Sequence, residues 1–471
     1  MNRHLFFPLV GIALVLGGCT LAPKYTRPEA PIPAGWPTGA AYGETKAMPG
    51  TPTATEIQWR EFFVDERLQQ IIDTALKNNC DLRLVALNVE RARALYGIQR
   101  AEVFPSVNAV GSGSRQRVPA DLSATGKEIT AEQYSVNLGI SSWEIDFFGR
   151  IRSLKDRALE EYLATEQARR SAQILLVSAV ANVYLTLAGD RERLKLAVST
   201  LETQEASYRM IRRLSEIGLA SELDLRQAQT QADSARGDVA RFMQLAAQDE
   251  NALNLLVGSL SPVPNEILPT DLASVKPPKE ISPGMPSEVL LRRPDILAGE
   301  HRLKAANANI GAARAALFPR IALTTAVGTA SSELSGLFKA GSGTWSFAPQ
   351  MVMPIFDARL WSAYDATNVE KEIALTQYEK AIQTAFREVA DALAVCGTVD
   401  MQVSAQQSLR DAVAETYRLS NALYTKGIDS YLGVLDAQRS LYAAEQGLIA
   451  IRLARLANQV RLYAVLGGGS E

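Results

Sequence analysis

Histidine is almost missing from this 471-residue chain, which has only His4 and His301. Imidazole is the commonest metal ligand and the usual general base near neutral pH. With so little of it, metal-centred or acid–base catalysis is not expected, and neither an enzyme nor a bound cofactor is indicated. Cysteine is nearly as scarce. Cys19, Cys80 and Cys396 have no metal-ligand spacing. The formal net charge is −2, so there is no electrostatic footprint for nucleic acid. After the first eighteen residues no run approaches twenty consecutive apolar residues. No membrane-spanning helix is therefore expected, and any crossing falls to strands closed into a barrel. Proline is absent from Pro119 to Pro262 and again after Pro354, which leaves room for very long helices.

The amino terminus carries an address. Arg3 and His4 precede an apolar run from Leu5 to Leu16, then Gly17-Gly18-Cys19. This is the layout of a secretory signal, and Leu16-Gly17-Gly18-Cys19 resembles a bacterial lipobox. Residues 1–18 are then a lipoprotein signal peptide, and Cys19 is the acylated first residue of the mature chain. A covalent lipid anchors without spanning. From Ala22 to Pro52 the chain is rich in Pro, Gly, Ala and Thr, and reads as an extended surface tether.

Beyond the tether the chain repeats itself. Asp81-Leu82, Gly97 and Phe104-Pro105 recur with the same spacing as Asp295-Ile296, Gly311 and Phe318-Pro319. Tyr208, Gly218, Ser221, Leu223 and Gln229 recur as Tyr417, Gly427, Ser430, Leu432 and Gln438. A period of about 210 residues is a duplicated half, too long for a solenoid unit. Each copy starts with a helical stretch, in the first from Asp65 to about Val103, stopped by Phe-Pro. Two strand-like segments come next: Val107 to Ser114 and Tyr134 to Ile145, then Arg320 to Thr329 and Thr344 to Phe356. Their lengths suit tilted membrane strands, and flanking Trp143, Phe147, Phe148, Trp345 and Phe356 suit an interfacial girdle. A helix from Arg150 to about Glu216 would be on the order of 100 Å long. Gly218 turns the chain into a returning helix with Leu225, Ala228, Ala232, Ala235, Val239, Phe242 and Ala246 on one seam. The duplicate seam is Val434, Ala437, Leu441, Ala444, Leu448 and Ile451, a coiled-coil spacing. The organisation is thus 19–64 tether, 65–258 first repeat, 259–286 proline-rich linker and 287–471 second repeat.

Four strands per chain leave two open edges, and open edges cannot face lipid. Several chains would have to share one barrel, with the helices projecting from it as a common cylinder. The chain resembles the TolC-like outer-membrane efflux proteins, in the lipoprotein branch that includes OprM and NodT. The resemblance is carried by Gly17-Gly18-Cys19, Phe104-Pro105, Trp143 to Arg150, Pro286-Ser287-Glu288 through Arg292-Arg293-Pro294-Asp295-Ile296, Phe318-Pro319, and Gly427 to Leu432 through Leu435-Asp436-Ala437-Gln438. These run in the family's order over nearly the whole mature chain. The resemblance implies a mainly α fold with membrane β: a homotrimer whose four strands per chain close a 12-stranded β-barrel, continued by a 12-helix periplasmic coiled-coil barrel. The tether, the linker and the C-terminal end would form an equatorial belt. It further implies the exit duct of a tripartite efflux pump for drugs or other toxic small molecules. Its partners would be a periplasmic adaptor and an inner-membrane transporter of resistance-nodulation-division type. An outer-membrane channel for type I protein secretion stays open as an alternative, as does a coiled-coil lipoprotein without a pore.

A resting duct needs a constriction. Leu432 and Asp436 stand one helical turn apart, just beyond the Gly427 turn. By resemblance they match the family's hydrophobic and acidic gate rings, Tyr424 a constricting tyrosine and Asp224 an acidic partner from the first repeat. Gly218, Ser221, Gly427 and Ser430 mark the hairpin tips, the implied adaptor contacts. The sequence departs from TolC at two gate positions. Asp429 stands where that protein has its gate arginine, and Gly433 replaces one of two ring aspartates, so the same inter-hairpin salt link cannot form.

Overall fold

A computed structural model describes residues 20–42, 54–284 and 289–469. The signal segment and the lipidation residue Cys19 lie outside the described residues. Helices α1 (Glu66–Asn78) and α2 (Cys80–Ala101) lead into strands β1 (Val107–Val118) and β2 (Ile129–Ile145). Helix α3 (Arg150–Glu216) and returning α4 (Glu222–Val257) complete the first repeat. The second has α5 (Pro294–Ala315), β3 (Arg320–Ser331), β4 (Gly343–Val352), α6 (Ala358–Thr425) and α7 (Tyr431–Val465). The chain divides into two compact units, with boundaries falling inside α2, α3, α5 and α6.

The first unit takes Val89–Thr165 and Gly299–Tyr378 with the N-terminal residues up to Pro28. It holds one antiparallel sheet in the order β1-β2-β3-β4. Alternation sorts the sheet into two faces. Leu138 lies opposite Val327 and Val327 opposite Trp345, while Ile140, Thr325 and Phe347 make the next row. The other face carries Ser135, Asn137, Thr324, Ser346 and Gln350. Two strand limits differ from expectation. β1 continues through Arg115 and Arg117 to Val118, because its partner β2 starts at Ile129. β4 stops at Val352 and not at Phe356, since Pro354 has no N–H to give a ladder. In β2 the register shifts between Ile140 and Trp143, where Ser142 adopts φ 54° and its N–H donates to Thr324 Oγ1 at 3.2 Å. That bulge re-aims the strand just before it leaves the sheet.

The described start of the tether lies on this unit as a strap. Thr20 and Ser153 share a hydroxyl hydrogen bond of 3.2 Å, and Asn307 Nδ2 donates to the Pro23 carbonyl at 2.7 Å. Arg27 and Lys304 pair with the buried Glu300 carboxylate, and Tyr25 OH donates to it. A Cβ at Gly311 would come within 2.7 Å of Ala22, so glycine here makes room for the strap. Its duplicate, Gly97, has nothing within 4 Å.

The second unit comprises Glu29–Asn88, Glu166–Ala298 and Glu379–Glu471. The helix expected to run unbroken from Asp65 is two helices. Asn79 ends α1, its Oδ1 accepts from Leu82 N at 2.8 Å as the cap of α2, and its Nδ2 donates to the Leu256 carbonyl. Gly258, at φ 65°, passes so close that a Cβ would lie 2.7 Å from the Asn78 carbonyl oxygen. Aromatic packing closes the core: Tyr463 stacks on Phe62 with ring centroids 4.0 Å apart, and Phe63 meets both rings edge-on. The Tyr463 hydroxyl donates to the Ile57 carbonyl at 2.9 Å.

One stretch of α3 is apolar enough to cross a membrane by length and composition alone, although it holds no run of twenty consecutive apolar residues. Val177, Val180, Ala181, Tyr184, Leu185, Leu187 and Ala188 are buried there, so the apolarity serves the core of this unit. Further along α3, Asp190 is buried with Arg193 on its carboxylate at 2.7 Å, and Asp249 of α4 faces it. Burial, then Asp190, then Glu250 raise the Asp249 pKa from 3.8 to about 6. Between these values the native state holds a proton that the unfolded chain has lost, so stability falls as pH rises from about 4 to about 6 and stays lower above. Asp249→Asn, which keeps a donor toward Asp190 without the charge, should melt higher than wild type at pH 7.5. That gain should shrink toward pH 4 in thermal scans of the detergent-solubilised protein.

Candidate functional site

The two hairpin turns are built from the same sequence signal. α3 ends at Glu216, and Gly218 at φ 78° lets the chain reverse, with Leu219 and Ala220 N–H donating to the Leu214 carbonyl. In the duplicate, Gly427 at φ 70° does the same, with Ile428 N–H donating to the Leu423 carbonyl. Positive φ costs glycine nothing, and the freed carbonyls of the helix end find partners.

Beyond the turns the copies diverge. Ser221 caps α4: its Oγ accepts from Asp224 N at 3.0 Å, and Asp224 Oδ2 accepts from Ser221 N at 3.2 Å. This reciprocal capping box satisfies two otherwise orphaned N–H groups. At the start of α7, Ser430 is at the cap position but makes no side-chain cap bond. The residue that stands for Asp224 in the duplicate is Gly433, which has no carboxylate to return. Asp429 Oδ1 instead accepts from Ser430 N at 2.7 Å. Ser221→Ala should cost about 1 kcal/mol of local stability, while Ser430→Ala should change it by far less. Amide exchange across the first turns of α4 and α7 reads the difference.

Below the turns, one apolar cluster takes side chains from all four helices. Ile211, Ala228, Tyr431, Val434 and Leu435 are buried, with Tyr208, Leu214, Leu225, Tyr417 and Tyr424 packed around them. The Tyr424 and Tyr431 rings lie 5.3 Å apart at 50°. Burial raises the Tyr424 hydroxyl pKa, and the nearby Asp224 charge raises it further. Tyr424 and Asp224 are therefore brought together. Tyr431, Val434 and Leu435 hold the cluster from α7. Val434 belongs to the expected seam; Tyr431 and Leu435, one helical turn apart, were read only as parts of the motif that carries the resemblance and not as packing residues.

Leu432 points the other way. It is 54% exposed, and Asp436 is exposed on the same face. In the first hairpin the matching residues are Leu223, 65% exposed, and Gln227. The exposed leucine is thus present twice, the carboxylate only once. Among the described residues no ion pair joins the two hairpins at this level, in keeping with Asp429 in place of an arginine.

A sheet with one apolar face and two open edges, combined with duplicated hairpins of very long helices, defines a subunit of a shared membrane duct. Residues 71–259 and 285–468 match the family described as outer membrane efflux protein. The antibiotic efflux pump outer membrane protein ArpC and the toluene efflux pump outer membrane protein TtgC, both of Pseudomonas putida, are each 50% identical over 462 residues, 97% of this chain and 94% of each relative. The open-state MtrE outer membrane channel of Neisseria gonorrhoeae superposes with a TM-score of 0.85 at 37% identity, covering 96% of this chain and 99% of that one. The chain belongs to the outer membrane efflux protein family. It is an efflux channel protein of the outer membrane, and its relatives are channels, not enzymes.

Proposed function

We propose that three copies of the chain close one barrel and one helical cylinder, forming the exit duct of a tripartite pump. The observation that carries this is the four-stranded sheet: β1 and β4 each have one unpaired edge, and one face is mostly apolar from Val136 to Ile145 and from Trp345 to Met351. A lone sheet of this kind cannot sit in lipid, whereas copies joined edge to edge can. The energy comes from an inner-membrane transporter of resistance-nodulation-division type, joined through a periplasmic adaptor that grips the hairpin tips around Gly218, Ser221, Gly427 and Ser430. The cargo is small toxic molecules, in line with the antibiotic and toluene pumps named for the 50% identical relatives. Cys19 carries the lipid that holds the tether at the membrane, and no other cofactor takes part. Leu432 and Asp436, repeated by threefold symmetry, form an apolar plug and an acidic ring, with Tyr424 and Asp224 supporting the constriction.

The deciding measurement is the native mass in detergent together with single-channel conductance in a planar bilayer. A trimer with low, cation-preferring conductance supports the duct. A monomer without conductance would overturn it.

A further inference from the structure

The duplication says more about assembly than that copies meet edge to edge. Inside one chain, the end of the first repeat's sheet already meets the start of the second's. β2 pairs with β3, Ile140 opposite Thr325 and Gly139 opposite Ala326. Just outside those strands, Phe148 stacks on Phe318 with centroids 4.9 Å apart. Phe148 stands two residues before α3, and Phe318 opens the Phe318-Pro319 pair before β3.

Both rings have duplicates, and the duplicates lack this partner. Phe356 stands two residues before α6 and is 92% exposed; Phe104 opens Phe104-Pro105 before β1 and is 67% exposed. Ile355 is 88% exposed and Ile98 65%. Phe104 and Ile98 line an open recess of about 480 Å³ with Trp143 and Ile151 and with the charged Glu144 and Arg150, beside the edge of β2 that β1 does not reach. So the chain carries an exposed aromatic at one end of its sheet and an exposed aromatic beside an open recess of mixed lining at the other. If copies close a barrel, those two ends face each other.

We propose that β4 of one copy pairs with β1 of the next so that Met351 lies opposite Gly111 and Gln350 opposite Ser112, with Phe356, level with Ser106, reaching diagonally across to pack on Phe104 as Phe148 packs on Phe318 within the chain. The register comes from the sheet itself. Matching Phe104-Pro105 to Phe318-Pro319 places β1 on β3, so Gly111 corresponds to Thr325 and Ser112 to Ala326. Val107 pairs with Ile140 and its duplicate Ile321 pairs with Met351, so Ile140 corresponds to Met351, and in the same way Gly139 to Gln350. Carrying the pairs Ile140–Thr325 and Gly139–Ala326 across gives Met351–Gly111 and Gln350–Ser112. The faces agree. Met351 belongs with Ile321 on the apolar side, and Gly111 pairs with Val136 of that same side. A slip of one residue would turn one strand inside out, so only slips of two compete.

This inference rests on the shared barrel proposed above, and the test separates the two. In a background with Cys80→Ala and Cys396→Ala, Gln350→Cys is combined in turn with Ser112→Cys, Ser114→Cys and Val110→Cys, and membranes are oxidised. Residues directly opposite come close enough to bridge, whereas diagonal neighbours two residues away stand about 7–8 Å apart. Covalent multimers on non-reducing gels are expected for Gln350/Ser112 and not for the slipped pairs. Cross-linking by a slipped pair, or by none, in protein that keeps its trimeric native mass overturns the register and leaves the shared barrel standing. Loss of the trimeric mass in the background protein itself would instead remove the barrel. The stack has its own readout, the temperature at which the multimer falls apart in mild detergent. Phe356→Ala and Phe104→Ala should each lower it, and the double variant should lower it no further than the worse single. Fully additive losses would overturn the stack.

Discussion

Channels carrying Leu432→Ala are expected to pass severalfold more current than wild type in a planar bilayer, with little change in ion preference. Leu432 is apolar, more than half exposed and placed one turn beyond a glycine reversal, so nothing within its own chain explains its exposure. In the proposed trimer three such side chains across a threefold axis would exclude water from a narrow lumen, and truncating them would re-wet it. Asp436→Ala should act differently. Removing a ring of carboxylates lowers the local cation concentration, so cation preference should drop even where conductance rises. Both readouts unchanged in both variants would sink the gate assignment. The absence of an inter-hairpin ion pair among the described residues at this level sharpens the expectation, because apolar packing is then the main restraint the plug has.

Tyr463→Ala should be the most destabilising single substitution in the second unit, costing about 3–5 kcal/mol. Its ring fills the space against Phe62 and Phe63, and its buried hydroxyl holds the Ile57 carbonyl. Gly468 folds back against the same ring, where a Cβ would lie 2.3 Å from it. One side chain thus ties the end of α7 to the segment that precedes α1. Tyr463→Phe keeps the ring and loses one hydrogen bond, a change of about 1 kcal/mol. Denaturant unfolding of the solubilised protein that showed equal losses for both variants would mean the hydroxyl, and not the packing, dominates.

Much of this fold was legible in the sequence because its signals are long-range periodicities. The α4 seam from Ala228 to Ala246 is buried where the three-four spacing put it, and α3 ends at Glu216 as expected. The helix turns were legible because glycine at positive φ is a local requirement. The break at Asn79 was not, since both flanking segments are helical and the reason for the kink, the close passage of Gly258, lies far away in sequence. The strand ends were misplaced for a related cause: hydrophobic alternation in Met351, Met353 and Ile355 continues past the point where the backbone stops pairing. At the hairpin ends, Leu432 and Asp436 were found through resemblance, and the structure places both on an exposed face. Tyr431 was read only as part of the motif that carries the resemblance, and its packing role was not legible because an aromatic at a helix start carries no special spacing.

The capping box at Ser221 and its loss at Ser430 divide labour between two halves that began alike. A helix start closed by a reciprocal pair resists fraying, while one without it opens at lower cost. Leu432 and the sole carboxylate of the matched pair, Asp436, both sit on the helix whose start is loosely tied. On the proposed gate, the first hairpin would then serve as frame and the second, freer at its helix start, as shutter.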